Sequence, residues 1–231
     1  MFSRRSLAAA ATAMTVAVVA LTALSGCSTM PAPLAGATGA SGSGSVQRVA
    51  VIGDSIEAGL GLDPEEAWPA LVADQRGWQL ANLSVSGAGF VATGASGADF
   101  SAQVDAAVAD KAQLVFIGAS DNDLGQSEST VSAAIRRQVD RLHSALPHAQ
   151  LVGFNALSGQ ASDDDLAADN AALASAVEAV GGSWMDLGQP YRDQAGLVQD
   201  DGEHPTLPGQ QAIADTVQTW LDQNQDALAA G

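Results

Sequence analysis

Short apolar runs rich in β-branched residues alternate along the chain with stretches of helical periodicity, and this alternation constrains the fold most strongly. Five runs predict buried strands, at residues 48–52, 79–85, 114–117, 150–154 and 183–187. Strands that alternate with helices are joined by crossovers, which make the strands parallel and cover both faces of the sheet. The sequence therefore predicts an α/β fold, a three-layer α/β/α sandwich on one mainly parallel five-stranded sheet.

Three helices are indicated by apolar stripes in which a residue recurs every three or four positions. The stripes are Val131, Ile135, Val139, Leu142 and Leu146; Leu166, Leu173, Val177 and Val180; and Ile213, Val217, Trp220 and Leu221. A further helix is predicted to start at Pro64, with Asp63 as its N-cap. Ser162 is the predicted N-cap of the helix that begins with three aspartates at residues 163–165.

The N-terminus, residues 1–26, is organised like an export signal. Two arginines precede an uncharged and mostly apolar stretch at residues 7–24, and small residues follow it. Residues 24–27, Leu-Ser-Gly-Cys, resemble the bacterial lipobox, which implies that Cys27 is lipidated and becomes the first residue of the mature chain. We therefore expect a protein of the bacterial cell envelope, exported and held at the outer face of the membrane through Cys27.

Two alternatives to this N-terminal assignment stay open. Residues 7–24 are just long enough to span a bilayer as a retained helix, and Cys27 can be a free thiol. The route of export, general secretory or twin-arginine, also stays open.

Residues 27–45 predict a flexible tether rather than folded structure. After Cys27 they are uncharged and consist mostly of Ser, Gly, Ala, Thr and Pro, a composition that cannot build a hydrophobic core. Residues 46–231 show neither an internal repeat nor a second boundary, so we expect them to form one domain.

The charge balance and the scarcity of Cys and His exclude several classes of protein. The chain has 26 acidic residues against nine Lys and Arg, a formal charge of −17, which is the wrong sign for nucleic-acid binding. One Cys and three His supply neither an internal disulfide nor a structural zinc cluster. We expect no nucleic-acid partner, no metal and no cofactor, and a monomer that contacts the membrane through its lipid alone.

Chemically distinctive residues follow four of the predicted strands. Residues 53–55 follow the first strand, residues 86–89 the second, and residues 120–123 the third, while residues 201–205 lie between the fifth strand and the last helix. Open parallel sheets bind ligands beyond the carboxyl ends of their strands. We therefore expect these four loops to converge at one edge of the sheet and to form the functional site.

Ser55, His204 and Asp201 are the candidate catalytic triad. A serine hydroxyl needs a neighbouring base to become a nucleophile, and the base needs a partner that fixes its tautomer. His204 is the only histidine in a strand-end loop, and Asp201 precedes it by three residues. Asp200 is an alternative orienting acid, at a spacing of four.

The negative charge that develops on a substrate oxygen needs hydrogen-bond donors that are already in place. Candidate donors are the backbone N–H groups of Ser55 and Gly87 and the side-chain amide of Asn122. Gly87 suits this role because a residue without a Cβ allows the backbone to approach a ligand closely. Asp121 and Asp123 flank Asn122, and we expect both carboxylates to point elsewhere, since a negative charge at this position opposes catalysis.

These four blocks resemble those of the SGNH hydrolases, also called GDSL lipases and acylhydrolases. Residues 51–55, residues 82–87, the pair Asn122-Asp123 and the Asp-x-x-His-Pro of residues 201–205 occur in the family's order. The resemblance implies a flavodoxin-like sandwich, hydrolysis of esters or thioesters through an acyl-enzyme, and no metal. There is one departure, because Ser120 stands where the third block usually has glycine.

A glycine-rich stretch at residues 87–92 also fits a loose dinucleotide fingerprint. It follows the second strand rather than the first, and no helix start follows it, which disfavours that interpretation. Arg136, Arg137 and Arg141 form the only basic cluster, and we expect these side chains to be solvated or paired with acids on the polar side of a helix.

Together these observations predict an envelope-anchored serine esterase or acylhydrolase that acts on a small-molecule, glycan or lipid ester. Two other classes of function stay open at this point. One is an acyltransferase that moves an acyl group to an envelope glycan. The other is a binding module that has lost catalytic activity, an interpretation that the altered third block favours.

Overall fold

The computed structural model describes residues 46–94 and 97–225. The predicted export signal, the lipidation site at Cys27 and the tether lie outside the described residues, so the statements about them stay predictions. Within the part of the chain that is described, no helix is both long and apolar enough to cross a lipid bilayer.

Five strands form one sheet. They are β1 (Arg48–Ile52), β2 (Gln79–Asn82), β3 (Leu114–Gly118), β4 (Gln150–Phe154) and β5 (Ser183–Met185). Their order in the sheet is β2-β1-β3-β4-β5, and every neighbouring pair is parallel. The predicted parallel sheet is confirmed. After β1 the chain moves outward to β2 and then returns to β3 on the other side, so the strand order reverses at β1 and β3, where open α/β sheets bind ligands.

The second strand is shorter than predicted, because its ladder ends at Asn82 rather than at residue 85. The backbone nevertheless continues along β1 beyond that point. The N–H of Leu83 donates to the carbonyl of Val51 at 2.9 Å, and the N–H of Val85 donates to the carbonyl of Gly53 at 3.3 Å. This segment therefore carries the loop at residues 86–89 directly to the residues that precede Ser55.

Six α-helices cover the sheet in the described part of the chain. They are α1 (Ser55–Ala58), α2 (Trp68–Arg76), α3 (Phe100–Ala109), α4 (Glu128–Ala145), α5 (Asp163–Ala179) and α6 (Leu207–Gln223). The three predicted stripes lie on α4, α5 and α6, except that Leu146 and Val180 are the C-caps of α4 and α5. Ser162 caps α5 by accepting the N–H of Asp165.

Two helical predictions need correction. No α-helix starts at Pro64, because Pro64–Glu66 is a single 3₁₀ turn and α2 begins at Trp68. A helix from Pro64 would place Pro69 in its interior, where proline lacks the N–H and clashes with the preceding turn. Helix α3 was not predicted, since most of its residues are alanine or polar and its apolar pattern is weak. Asp99, which caps α3, was the available signal.

Alternate side chains of each strand enter two hydrophobic clusters, one on each face of the sheet. Ile52 and Ile117 pack with α3, α4 and α5. Val51, Phe116 and Phe154 pack on the other face with α2 and α6. The sheet is therefore fixed from both sides, and the carboxyl ends of its strands are held in a constant position.

We predict that Phe116→Ala lowers the free energy of unfolding by about 3–5 kcal/mol, because it removes a buried ring and leaves a cavity. Phe116 is 1% exposed and meets Trp68 edge to face, with ring centroids 6.4 Å apart. Guanidinium denaturation followed by tryptophan fluorescence measures the change. Val46→Ala is the control, since Val46 is exposed and its loss should change stability by less than about 0.5 kcal/mol. A loss below about 1 kcal/mol for Phe116→Ala would contradict this packing.

Candidate active site

Ser55 is the first residue of α1, directly after β1, and its backbone is held from two sides. Asp54 caps the helix by accepting the N–H of Ile56 at 3.0 Å. Gln103 of α3 clamps Gly53, because its side-chain oxygen accepts the Gly53 N–H at 3.0 Å and its amide donates to the Gly53 carbonyl at 2.9 Å. Sequence reasoning did not identify Gln103, since its partner lies 50 positions away.

The structure brings His204 and Asp201 to Ser55. The Nε2 atom of His204 lies 2.9 Å from the Ser55 hydroxyl oxygen, and its Nδ1 atom lies 2.7 Å from the Asp201 carboxylate. Asp201 also accepts the backbone N–H groups of Glu203 and His204, at 2.9 and 3.0 Å. These hydrogen bonds, with that of the His204 ring first, lower the pKa of Asp201 to about 2. Asp201 is therefore a carboxylate at neutral pH, and it is Asp201 rather than Asp200 that contacts the ring.

A buried glutamine joins the elements that carry Ser55 and His204. The side chain of Gln210, on α6, accepts the N–H of Trp68 at 2.8 Å and donates to the carbonyl of Ile56 at 2.8 Å. Gln210 is 1% exposed. Because α6 starts just after His204 and Ile56 follows Ser55, this pair of hydrogen bonds fixes the distance between the two reactive side chains.

Ser55, His204, Gly87 and Asn122 line one cleft, with a volume of about 600 Å³. Its walls also include Leu60, Asp121, Leu124, Ser158, Gln160 and Glu203. The four strand-end loops therefore converge as the sequence predicts. A larger groove of about 770 Å³ lies between α3 and α4, but no histidine lines it, and one of its arginines, Arg141, pairs with Asp105.

Two of the candidate oxyanion donors are backbone groups with no partner in the described residues. The N–H of Ser55 precedes the hydrogen-bond ladder of α1, and neither it nor the N–H of Gly87 donates to another described group. Gly87 has φ of 79°, in the left-handed region. The structure thus gives a second reason for glycine at this position, because a side chain there would strain the backbone.

The two aspartates beside Asn122 differ in position. Asp123 is buried and accepts the N–H groups of Phe90, Val91 and Ala92 at 2.7–3.0 Å, so it organises the loop after β2. Asp121 does not point elsewhere as predicted, since it lines the cleft. Burial, together with the charges of neighbouring carboxyl groups, raises the pKa of Asp121 to about 7. Near neutral pH Asp121 therefore exists in both the protonated and the ionised form, so the negative charge at this position is reduced but not removed.

A pair of buried carboxyl groups, Asp54 and Glu57, lies beneath Ser55. Asp54 is 2% exposed and Glu57 is 3% exposed. Glu57 accepts the N–H of Asp54 at 3.1 Å and that of the Trp68 ring at 3.2 Å. Burial is the main cause of the raised pKa of both groups, and the pKa of Asp54 is raised to about 8. Sequence reasoning missed this pair because residue type alone predicts that a glutamate is exposed.

We predict that the protein becomes less stable as pH rises from about 4 to 8. Burial raises the pKa of Asp54, Glu57, Asp121 and Asp169 in the folded state. The folded protein therefore binds more protons than the unfolded chain between about pH 4 and pH 8. The lowered pKa of Asp201 acts in the opposite direction, but only below about pH 4. Thermal unfolding at a series of pH values tests this.

Asp121→Asn is the matched variant for this prediction, because it removes one titrating group without removing a buried apolar side chain. Its melting temperature should decline less than that of the natural chain between pH 5 and pH 7. A melting temperature that rises over this range in the natural chain would show that the carboxyl groups are not buried as described.

Comparison with known proteins agrees with this geometry. The sequence profile of the GDSL-like Lipase/Acylhydrolase family matches residues 51–212. No curated protein sequence matches the chain.

Three solved structures illustrate the shared fold. TesA is 23% identical, with a TM-score of 0.62 over 76% of this chain and 98% of TesA. The psychrotrophic esterase EstA from Pseudoalteromonas is 21% identical, with a TM-score of 0.61 over 76% of this chain and 99% of EstA. A family two carbohydrate esterase from Cellvibrio japonicus is 17% identical, with a TM-score of 0.64 over 79% of this chain and 62% of that protein.

At these identities the likeness to solved structures shows the fold, while the sequence profile covers most of the chain and spans all four blocks. The chain therefore belongs to the GDSL-like lipase/acylhydrolase family of ester-cleaving hydrolases.

Proposed function

We propose that this protein is a serine esterase or acylhydrolase that cleaves carboxylic esters or thioesters through an acyl-enzyme on Ser55. One observation carries the proposal. An uninterrupted series of hydrogen bonds runs from the Asp201 carboxylate through the His204 ring to the Ser55 hydroxyl, with separations of 2.7 and 2.9 Å, and it opens onto a cleft. Nucleophilic catalysis by serine requires this arrangement.

In the first half of the reaction the Ser55 oxygen attacks the carbonyl carbon, and His204 Nε2 takes the hydroxyl proton. The Asp201 carboxylate holds the proton on Nδ1 and stabilises the imidazolium that forms. The N–H groups of Ser55 and Gly87 and the Asn122 amide donate to the oxyanion. His204 then gives its proton to the leaving alcohol or thiol, and the acyl group stays on Ser55.

In the second half of the reaction a water molecule attacks the acyl-enzyme. His204 takes a proton from this water, a second oxyanion forms on the same donors, and the proton passes to Ser55 as the carboxylic acid leaves. The same three side chains therefore serve both halves, which is why removal of any one of them slows both steps of the cycle.

The walls of the cleft favour an uncharged substrate. Leu60 and Leu124 are among its exposed apolar side chains, 45% and 40% exposed, and they offer contact to an acyl chain. Asp121 and Glu203 add acidic groups, and His204 is the only basic residue on the wall. Carboxylates repel anionic substrates, so we propose neutral esters. Acylated carbohydrates are a second candidate class, supported by the polar side chains of Ser158 and Gln160 and by the carbohydrate esterase fold of the C. japonicus protein.

We predict that Ser55→Ala abolishes both hydrolysis of p-nitrophenyl esters and covalent labelling by a fluorophosphonate probe, with an unchanged melting temperature. Asp201→Asn should lower kcat by roughly 10³–10⁴-fold, because the neutral amide no longer favours the required tautomer. Asp200→Asn is the matched control, since Asp200 does not contact His204, and it should keep nearly full activity. A series of p-nitrophenyl esters of increasing chain length, with acetylated xylan and an acyl-thioester, identifies the preferred substrate.

Three results would contradict the proposal. Hydrolysis that survives Ser55→Ala would move the nucleophile elsewhere, and equal losses in Asp200→Asn and Asp201→Asn would remove Asp201 from its role. A natural chain that neither hydrolyses esters nor reacts with the probe would instead be a binding module.

We also propose that the protein is exported and held at the outer face of the bacterial membrane by a lipid on Cys27. Support for this comes from the sequence of residues 1–27, in which a basic start, an apolar stretch and the lipobox-like Leu-Ser-Gly-Cys follow one another. The uncharged residues 28–45 would then separate the catalytic domain from the membrane.

We predict that Cys27→Ser, expressed in a bacterial host, moves the protein from the membrane fraction to the soluble fraction and abolishes incorporation of labelled palmitate. Esterase activity of the domain should be unchanged, because residue 27 precedes the described fold. Membrane association that persists in Cys27→Ser would favour a retained helix at residues 7–24.

A further inference from the structure

Ser120 occupies a buried position between the residue before the nucleophile and the candidate oxyanion donor. It is 2% exposed. Its hydroxyl lies 2.6 Å from the Asp54 carboxylate and 3.1 Å from the carbonyl oxygen of Ala88. The same oxygen accepts the backbone N–H of Asn122 at 3.2 Å and the Asn122 side-chain NH₂ at 3.0 Å. One serine thus contacts two of the loops that form the cleft.

We infer that Ser120 is a positioning residue, which orients the amide of Asn122 so that one of its N–H groups is directed to the substrate oxygen. This inference rests on the proposed function, because Asn122 acts as an oxyanion donor only if an ester carbonyl binds at Ser55. Glycine, the usual residue at this position of the third block, has no hydroxyl and cannot make these contacts.

The polarity of the contacts fixes which end of the Asn122 amide meets Ser120. A hydroxyl has one proton to donate and two lone pairs that accept. Both of the groups to which Ser120 can donate, the Asp54 carboxylate and the Ala88 carbonyl, are acceptors. The Ser120 proton is therefore donated to Asp54 or to the Ala88 carbonyl, and the Ser120 oxygen accepts from Asn122. Only the NH₂ end of the amide satisfies this acceptor, so the opposite orientation of Asn122 is excluded.

The charge of Asp54 does not reverse this polarity. Burial raises the pKa of Asp54, but its carboxyl group also hydrogen-bonds to Glu57. If the Asp54 oxygen that faces Ser120 carries a proton and donates it to Ser120, the Ser120 hydrogen still has the Ala88 carbonyl as its acceptor at 3.1 Å. In either charge state the Ser120 oxygen is therefore an acceptor toward Asn122.

The distances are compatible with an arrangement in which Ser120 leaves one amide hydrogen of Asn122 free. The Asn122 nitrogen lies 3.0 Å from the Ser120 hydroxyl oxygen and 3.3 Å from the Ala88 carbonyl oxygen, and these two oxygens are 3.1 Å apart. Such a triangle places them about 60° apart as seen from the nitrogen, whereas the two N–H bonds of an amide diverge by about 120°. One hydrogen can therefore serve both acceptors, which allows the second to donate within the cleft that Asn122 lines.

Removal of the Ser120 hydroxyl should thus affect the transition state more than the bound substrate. The Asn122 amide would keep only the longer contact to the Ala88 carbonyl, at 3.3 Å, and would therefore be held less firmly in its orientation. A donor that stabilises the developing oxyanion contributes to kcat, because the charge is absent from the ground state. The effect on KM should be small.

The test is the kinetics of Ser120→Ala, Asn122→Ala and the double variant with p-nitrophenyl butyrate, each measured below its own melting temperature. Ser120→Ala should lower kcat by about 10-fold or more and change KM by less than about 2-fold, and Asn122→Ala should lower kcat by about 10²–10³-fold. The double variant should be no slower than Asn122→Ala alone, because Ser120 acts through Asn122.

Ser84→Ala is the matched control. Its hydroxyl is also buried but has no hydrogen-bond partner in the described residues, so its loss should leave kcat unchanged. If Ser120→Ala does not fold, Ser120→Gly provides the same test with the residue that is usual in the family.

The inference would be overturned if Ser120→Ala kept kcat within 2-fold of the natural chain. It would also be overturned if its effect multiplied with that of Asn122→Ala, because Ser120 would then act independently. If the proposed function itself were wrong, the natural chain would lack esterase activity and probe labelling, which distinguishes that failure from failure of the Ser120 inference.

Discussion

The parallel pairing of β1 with β3 is the constraint on which the rest of the site depends. Their register aligns Ile52 with Ile117, so the residues that follow each strand emerge at the same level of the same sheet edge. The nucleophile loop and the Asn122 loop therefore meet, and the 2.6 Å contact between Ser120 and Asp54 is a direct consequence. The remaining partner, His204, arrives on the segment before α6, and Gln210 fixes that segment to α1.

The environment of each carboxyl group in the site determines its charge, although the side chains are chemically alike. Asp201 accepts hydrogen bonds from His204 and from two backbone N–H groups, and these donors keep it ionised next to the base. Asp54 and Asp121 are instead raised in pKa, mainly by burial. The candidate site therefore has a fixed negative charge beside the His204 ring and less negative charge near the candidate oxyanion donors, in a protein whose formal charge is −17.

Local patterns predicted much of the fold and the positions of the site residues. The convergence of the loops at one edge of the sheet could be anticipated because Ser55, Gly87 and Asn122 each follow an apolar run. The contact of Asp201 with His204 follows from their spacing in one loop. Contacts between distant segments could not be predicted. Glu57 is buried and accepts the N–H of the Trp68 ring, which lies on another helix, and the position of Asp121 in the cleft depends on the 3₁₀ turn at Asp121–Asp123. In the sequence Ser120 is only a departure from the third block, because its hydrogen bonds to Asp54, Ala88 and Asn122 join residues that local patterns do not connect.

The central claim, that the chain cleaves esters through a covalent intermediate on Ser55, is tested most directly by trapping that intermediate. The protein is mixed with an activated ester, quenched in acid within the first turnover, and digested for peptide mapping by mass spectrometry. We expect an acyl group on Ser55 that disappears when turnover is allowed to continue. Ester hydrolysis without an adduct on Ser55, or with a stable adduct on another residue, would contradict it.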